Sequence, residues 1–439
     1  MSASNPSTTQ PPGPVEPADL GIDQPTLALL RDAAETYGPV VRFVSGSGKS
    51  SVYVEDPELA QKLLIRKHSQ SSKGRGFERV KMLLGNGLIV SDGDHWRRSR
   101  TMIQPAFKPR SIERMAERML QHSKMMAADW SRAAETGAGI DLAEATTQFG
   151  LGVIVDCIFG DDVDARNAAA PDSRFAFLRP DAARDLSMVQ AARALRQWIS
   201  GVVERRMQSA ESWDDFLGLY LDARDKNDQP FSERELLDEM ITLIVAGFET
   251  TANTLTWVWY ELARNPEIAE AVCAELIASG APDQVSLESV DQLPLTLQVL
   301  QETLRLYPPV WLYTRRANED IDLGDFRLSE GEQIYLSPYL TQRSARYWAS
   351  PEQFMPRRFE GAGQKAHDLA FFPFSLGPRR CVGEHFSYLE MKIQLANILP
   401  LLVPTLDRPE HKPECEFAIN LRSRDPIFLT LNTRENLPQ

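Results

Sequence analysis

The sequence predicts a mainly α-helical protein with a small β-rich portion, and three observations carry that prediction. From Glu233 to Arg264 the chain runs without a proline, between a capping box at Ser232-Glu233-Arg234-Glu235 and a stop at Asn265-Pro266. Apolar residues recur at helical spacing over residues 111–135, 141–160 and 186–209. Strand-like alternation is confined to short runs, residues 40–44, 51–54 and 310–316 and stretches within 414–432.

The 439 residues would suggest about three domains on length alone. No linker, repeat or low-complexity break interrupts residues 20–435, so residues 21–439 read as one domain behind a tail. That tail, residues 1–20, is rich in Pro, Ser and Thr and is expected to be disordered. A formal charge of −13 argues against a general nucleic-acid binder. Four widely separated cysteines (Cys157, Cys273, Cys381, Cys415), with no Cys-x-x-Cys, point to a reducing compartment rather than a disulfide framework. No apolar run approaching the ~18–20 residues of a membrane span is apparent. With no Lys or Arg before Arg31 and no hydrophobic leader, a signal peptide or anchor is not expected, and the location is expected to be cytoplasmic.

Residues 25–37 read as an amphipathic helix, and Gly46-Ser47-Gly48 as the turn of a hairpin. Residues 57–67 form a short helix. Residues 69–86 are polar, basic and glycine-punctuated, a loop with room for one helical turn. Trp96 and Arg100 lie four apart on one helix face, where an indole N–H and a guanidinium can both donate to a carboxylate. Residues 165–187, with Pro171 and Pro180, are the candidate lid between two helices.

The proline-free helix spans roughly 48 Å at 1.5 Å per residue. Its middle, residues 240–248, is nearly all apolar and must be buried, yet Gly247, Glu249, Thr250 and Thr251 follow there. A mid-helix glycine costs about 1 kcal/mol against alanine, and a buried glutamate needs a partner. Either tight helix packing requires Gly247 while Glu249 reaches the surface, or the group has a function. Residues 295–307 form a helix ended by Pro308-Pro309, with Glu302 and Arg305 on one face.

Residues 371–392, FFPFSLGPRRCVGEHFSYLEMK, place Cys381 at or just before the N-terminus of a helix over Glu384–Ile398. Backbone N–H groups and the helix dipole there favour a thiolate. Gly377 and Gly383 suit a sharp turn approached by something flat. Phe374 can shield the sulfur and Arg379 can meet an anion. Such a thiolate is a strong axial ligand for haem iron.

Phe374-x-x-Gly377-x-Arg379-x-Cys381-x-Gly383 resembles the cysteine-ligand loop of the cytochrome P450 family. Four further motifs occur in that family's order over roughly residues 25–432. They are Trp96-x-x-x-Arg100, Ala246-Gly247-Phe248-Glu249-Thr250-Thr251, Glu302-x-x-Arg305, and Pro351-x-x-Phe354-x-Pro356-x-Arg358-Phe359. The resemblance implies a P450 fold, with the long central helix over haem b and Cys381 as its metal ligand. It implies propionate binding by Trp96, Arg100 and Arg315, with Arg316 competing for the last role, and further cofactor contacts from Phe374, Arg379 and Gly383. Gly247 would let the helix open locally and leave room for dioxygen, and Glu249 and Thr250 would handle protons in its activation. Arg358 would join Glu302 and Arg305 in a structural cluster. Where the family often has His-Arg this chain has Gln342-Arg343, expected to lose one minor hydrogen bond.

The implied activity is monooxygenation of a mainly apolar organic substrate. Electrons would come from a ferredoxin or flavodoxin with its NAD(P)H reductase, without nucleic-acid partners. Arg97, Arg98, Lys108, Arg110, Arg380 and Lys392 are candidates for a basic docking surface. Phe77, Met82, Leu88, Trp311 and Tyr313 suggest an apolar pocket, bordered by residues 310–314 and reached by a turn near residues 418–421. Tailoring of a secondary metabolite is the first expectation, with fatty-acid or terpenoid hydroxylation second. A peroxide-using peroxygenase is disfavoured by the acid–alcohol pair, and a haem sensor would have no use for it.

Overall fold

The computed structural model describes residues 9–168, 170, 172–178, 186–209, 211–283, 285–361 and 369–434. In chain order, the first part holds α1 (Gln24–Tyr37), β1 (Val40–Val44), β2 (Ser50–Val54), α2 (Pro57–Gln61), β3 (Ser71–Lys73) and α3 (Phe77–Leu84). Helices follow: α4 (Gly93–Ile103), α5 (Pro109–Thr136), then after β4 (Ile140–Asp141) α6 (Leu142–Phe159), α7 (Leu186–Gln208), α8 (Phe216–Asp222) and α9 (Glu233–Arg264). Next come α10 (Pro266–Ala278), α11 (Leu287–Asp291), α12 (Pro294–Leu306), β5 (Tyr313–Ala317), β6 (Ile321–Leu323), β7 (Phe326–Leu328), β8 (Gln333–Leu336) and α13 (Pro338–Thr341). The chain closes with α14 (Glu384–Ile398), β9 (Leu402–Leu406), β10 (Cys415–Phe417), β11 (Leu421–Ser423) and β12 (Phe428–Thr433).

Contacts divide the chain into two compact units. One, a sheet unit, comprises residues 1–80, 304–381 and 416–422. Its main sheet has the order β1-β2-β8-β5-β3. The predicted hairpin pairs antiparallel, Val40 opposite Val54, and β2 then runs parallel to β8. One face buries Val40, Val52, Val54, Ile334 and Leu336 with Leu63 and Leu64. The expected disorder of the tail does not extend over residues 9–20. Arg42 N–H donates to Pro12 O (2.9 Å), Ala18 N–H to Val44 O (2.9 Å) and the Tyr335 hydroxyl to Leu20 O (3.2 Å). A proline-rich segment is extended by nature, and strand edges satisfy its backbone; residues 1–8 lie outside the described residues. The segment expected as a loop, residues 69–86, contains β3 and the two-turn α3. β3 pairs antiparallel with β5, a partner no local pattern reveals.

The helical unit comprises residues 81–303, 382–415 and 423–439. α9 begins as read: Ser232 Oγ accepts the Glu235 N–H while Glu235 Oε2 accepts the Ser232 N–H (2.8 Å). It packs on α6, where glycines let the backbones approach: a Cβ at Gly247 would lie 2.7 Å from Ile154 Cγ1, and one at Gly150 3.2 Å from Phe248 O. α6 is apolar on nearly every side, and by length and composition it is long enough to cross a membrane, against the sequence expectation. Its polar residues, Thr146 and Thr147 among them, interrupt the apolar run without breaking the helix. The apolar window is 72% buried inside the unit, so α6 serves as core. α14 lies against α5 and α9 through Ser123 Oγ to Ile393 O (3.3 Å) and Trp259 Nε1 to Gln394 Oε1 (3.1 Å). β4, β12 and β9 form a small sheet in this unit. Of the candidate lid, residues 169, 171 and 179–185 lie outside the described residues; residues 165–167 and 176–178 are single 3₁₀ turns.

Candidate active site

In the sheet unit, the cysteine loop is built around Gly377, which adopts φ 68°. A Cβ there would meet Leu64 O at 2.5 Å, so both the conformation and the close approach require glycine. Cys381 N–H donates to Phe374 O (2.9 Å) and closes the loop. Phe374 and Arg379 are half-buried. Cys157 and Cys273 are buried, and burial pushes both thiols up. Cys415 is half-buried; Cys381 alone of the four is exposed. Two residues on, Gly383 is the N-cap of α14, with φ −89°. That angle is open to any residue, so the conformational reason given for Gly383 does not hold, while Gly377 keeps it.

In the same unit the two arginines of β5 differ in burial. Arg315 is buried and Arg316 exposed, so Arg315 is the one enclosed by the fold. The Tyr313 hydroxyl donates to Pro373 O (3.0 Å), tying β5 to the cysteine loop. Trp311 is buried with Nε1 donating to Ala418 O (2.9 Å) and its ring edge-on to Phe417. Both aromatics are thus occupied in holding backbone, and the turn near residues 418–421 presents an exposed Ile419. Arg305 donates to Gln342 O (2.8 Å), Pro351 O (2.6 Å) and Gln353 O (3.1 Å). Arg358 donates to Ala349 O (2.9 Å), and both guanidiniums stack near the Trp348 ring.

Gln342 departs most from expectation. Fully buried, it donates through Nε2 to Leu304 O and Arg305 O (both 3.0 Å) and accepts from Phe372 N–H through Oε1 (3.0 Å). Rather than losing a minor bond, this residue links the end of α12 to the cysteine loop.

In the helical unit, α4 carries a buried Trp96 and a half-buried Arg100 on one face. Along α9, Thr250 Oγ1 donates to Ala246 O (2.9 Å) and Thr254 Oγ1 to Thr250 O (2.8 Å). Glu249 and Thr250 are half-buried, whereas Thr251 is buried, beside Glu390 of α14. Burial pushes the Glu390 carboxyl well above the usual carboxylate range. Gly247 faces Ile154 inside an uninterrupted helix. Tight packing explains this glycine, and the local opening expected of it is not seen.

Three members of the expected basic surface are otherwise engaged, Arg97 through a surface pair with Asp94 (2.9 Å). Lys392 is buried and donates to Val290 O (2.9 Å); Arg98 pairs with Asp225 (2.7 Å) and Glu235 (2.6 Å). Arg97, Lys108, Arg110 and Arg380 are exposed. A cavity of about 560 Å³ bounded by Asp162, Phe175 and Trp198 includes no residue of the candidate site. Asp238, Glu239 and Glu390 belong to no motif that the sequence offers. For Asp238 and Glu239 the available signal is an acidic pair at the head of an apolar helical run.

A family model described as Cytochrome P450 matches residues 19–175 and 165–415. The chain belongs to the cytochrome P450 family. Among relatives, cyclooctatin synthase of Streptomyces melanosporofaciens is 30% identical over 378 residues, covering 80% of this chain and 80% of that protein. Cytochrome P450 4F8 of Homo sapiens is 29% identical, covering 93% of this chain and 87% of its own. Probable cytochrome P450 4d20 of Drosophila melanogaster is 27% identical, covering 97% and 93%. The P450 is accordingly a haem-thiolate monooxygenase that takes haem b through a cysteine. Residues of the kind that group needs are present in each unit: in the sheet unit an exposed thiol, a glycine turn no side chain could enter and a buried Arg315, and in the helical unit an indole and a guanidinium on one face of α4.

Proposed function

We propose that Cys381 is the thiolate ligand and that this P450 oxidises a mainly apolar organic substrate, an intermediate of secondary metabolism. The observation that carries the assignment is the exposure of Cys381 in a loop closed on Gly377, while the other thiols are wholly or partly enclosed. Haem b, held by a thiolate, supplies the iron chemistry that activates dioxygen. Trp96, Arg100 and Arg315 would donate to its propionates, with the guanidiniums providing charge-assisted bonds. Phe374, Arg379 and Gly383 complete the proposed cofactor contacts. Cyclooctatin synthase is, by its name, a biosynthetic enzyme, and its likeness over most of the chain supports the substrate class. Electrons come from a ferredoxin or flavodoxin with its NAD(P)H reductase, in the cytoplasm, and Arg97, Lys108, Arg110 and Arg380 remain candidates for the docking cations.

The test is the absorption spectrum of purified protein, reduced under carbon monoxide. A strongly red-shifted Soret band supports thiolate ligation; a histidine-type spectrum or absent haem sinks it. Spin-state titration against secondary-metabolite, terpenoid and fatty-acid panels then tests the substrate class, and a response confined to fatty acids would replace it.

Glu249 and Thr250 are proposed to move protons. Thr250 Oγ1 donates a hydrogen bond to Ala246 O in the resting helix, leaving its lone pairs to accept. Glu249, half-buried one residue earlier, can exchange protons with solvent. Replacing Thr250 by alanine or Glu249 by glutamine is expected to lower product formed per NAD(P)H by roughly 10²-fold, the low end of general acid–base contributions. Thr250→Ser should restore most of it. Unchanged coupling in both variants would remove the pair from the mechanism.

A further inference from the structure

Among the described residues, three that are not glycine adopt a left-handed backbone: Asp228 (φ 59°), Ser350 (φ 45°) and Ser375 (φ 62°). Asp228 and Ser350 sit on exposed turns. Ser375 is buried, and it lies inside the cysteine loop of the sheet unit. A side chain at such an angle costs free energy that glycine would not, and a buried residue keeps it only where its surroundings hold it there. The backbone around it is fully engaged. Ser375 N–H donates to Phe372 O (3.0 Å), which also accepts from the Tyr313 hydroxyl (3.3 Å), and Cys381 N–H closes the loop on Phe374 O. The side chain is not engaged. Its Oγ is shut off from solvent and meets no hydrogen-bond partner among the described residues. Burying a hydroxyl in that way is a second cost, at the same residue, that glycine would remove.

We propose that Ser375 is a positioning residue for the thiolate: in the haem-bound protein its hydroxyl donates a hydrogen bond to Cys381 Sγ. The proposal rests on the haem-thiolate reading above. The bond between Cys381 N–H and Phe374 O (2.9 Å) sets residue 374 directly against residue 381, and Ser375 is the next residue along. The left-handed backbone fixes the direction in which its Cβ leaves the chain, so the two costs have one purpose, to aim a donor. A thiol is a weak acceptor, whereas hydrogen bonds to an ionised group are the strong ones. The hydroxyl therefore gains its partner when the sulfur is ionised, which is the form that binds a metal.

Such a bond acts on electron uptake. Negative charge on the sulfur rises when the iron gains an electron, and a donor aimed at the sulfur stabilises that charge, so the reduction potential is higher with the hydroxyl than without it. Glycine at 375 would relieve the backbone and lose this control. A trapped water would satisfy the same hydroxyl and leave the sulfur untouched. The two arrangements differ in what the sulfur feels, and spectroscopy of the iron–sulfur bond separates them.

The haem-loaded wild type is compared with Ser375→Ala, Ser375→Gly and Ser375→Thr. In resonance Raman spectra the iron–sulfur stretch of wild type should move further between water and deuterium oxide than that of Ser375→Ala, in which only backbone N–H groups remain to exchange. Equal shifts overturn the bond to sulfur and give the hydroxyl to a water. In a spectroelectrochemical titration, Ser375→Ala and Ser375→Gly should lower the ratio of reduced to oxidised protein at a fixed potential by about tenfold, ~59 mV for one electron. Ser375→Thr, which keeps the hydroxyl, should stay near wild type. Urea unfolding of the haem-free chains should order them differently: Ser375→Gly unfolds at higher urea than wild type, and Ser375→Thr, β-branched in a left-handed conformation, at lower. Potentials that follow the urea order would make the effect one of loop stability and overturn the proposal, as would four equal potentials. If the reduced wild type under carbon monoxide lacks the thiolate spectrum, the haem-thiolate reading fails and the proposal falls with it; a thiolate spectrum with unmoved potentials removes Ser375 alone.

Discussion

Cys381→Ala is expected to abolish the red-shifted carbon-monoxide band of the reduced protein and to cut monooxygenation by about 10³-fold or more, at least ~4 kcal/mol of barrier. A thiolate pushes electron density toward the iron in a way no other side chain near this turn can, and water or hydroxide in its place does not. The fold should hardly notice. Cys381 is exposed, and the bond that closes its loop uses the backbone N–H to Phe374 O, which alanine keeps. Unfolding free energies of the haem-free wild type and variant, from urea titration, should therefore agree to within about 1 kcal/mol. An alanine variant that kept the wild-type spectrum would show that another residue holds the iron.

The second large effect is expected at a position with no chemistry. Gln342→Ala should lower unfolding stability by roughly 3–5 kcal/mol, because it strands two buried carbonyls, Leu304 O and Arg305 O, and the Phe372 N–H together. Phe372 leads directly into the cysteine loop, so haem should also be lost faster on dilution into apomyoglobin. Gln342→His carries one donor and one acceptor, enough for one carbonyl and the Phe372 N–H, and should recover about half of the deficit. A Gln342→Ala chain within about 1 kcal/mol of wild type would mean that relaxation or water replaces all three bonds.

What was legible in the sequence was local. The limits of α9 were read to the residue because Ser232, Glu235 and Asn265-Pro266 act within one turn of where they stand. α14 and the β1–β2 hairpin were equally plain. The candidate site was legible where residue types sit at fixed spacing, as in residues 374–383. What depends on a distant partner was not. Gln342 reaches partners 38 and 30 residues away, and β3 finds its neighbour only when β5 arrives. Nothing near Gly247 reveals that Ile154 is the side chain it must admit. Lys392 looked like a surface cation because its helix gives no sign of which side is covered, yet burial lowers its amine and Val290 O accepts from it. Asp238 and Glu239 stand beside a strongly apolar run, and the need for two buried carboxylates there becomes visible only with the amides of residues 86 and 88 in place.

The largely apolar surface of α6 has a consequence during synthesis. Its main packing partner, α9, begins at Glu233, well over seventy residues after α6 ends at Phe159. At roughly 5–20 residues per second, a ribosome needs about 4–15 s to supply the start of that partner. Throughout that interval a largely apolar helix waits with the face meant for α9 uncovered. The nascent chain should therefore engage a holding chaperone between completion of α6 and emergence of α9, and release it as the long helix arrives. Overexpression that outruns the chaperone supply should fill inclusion bodies with chains stalled at that stage.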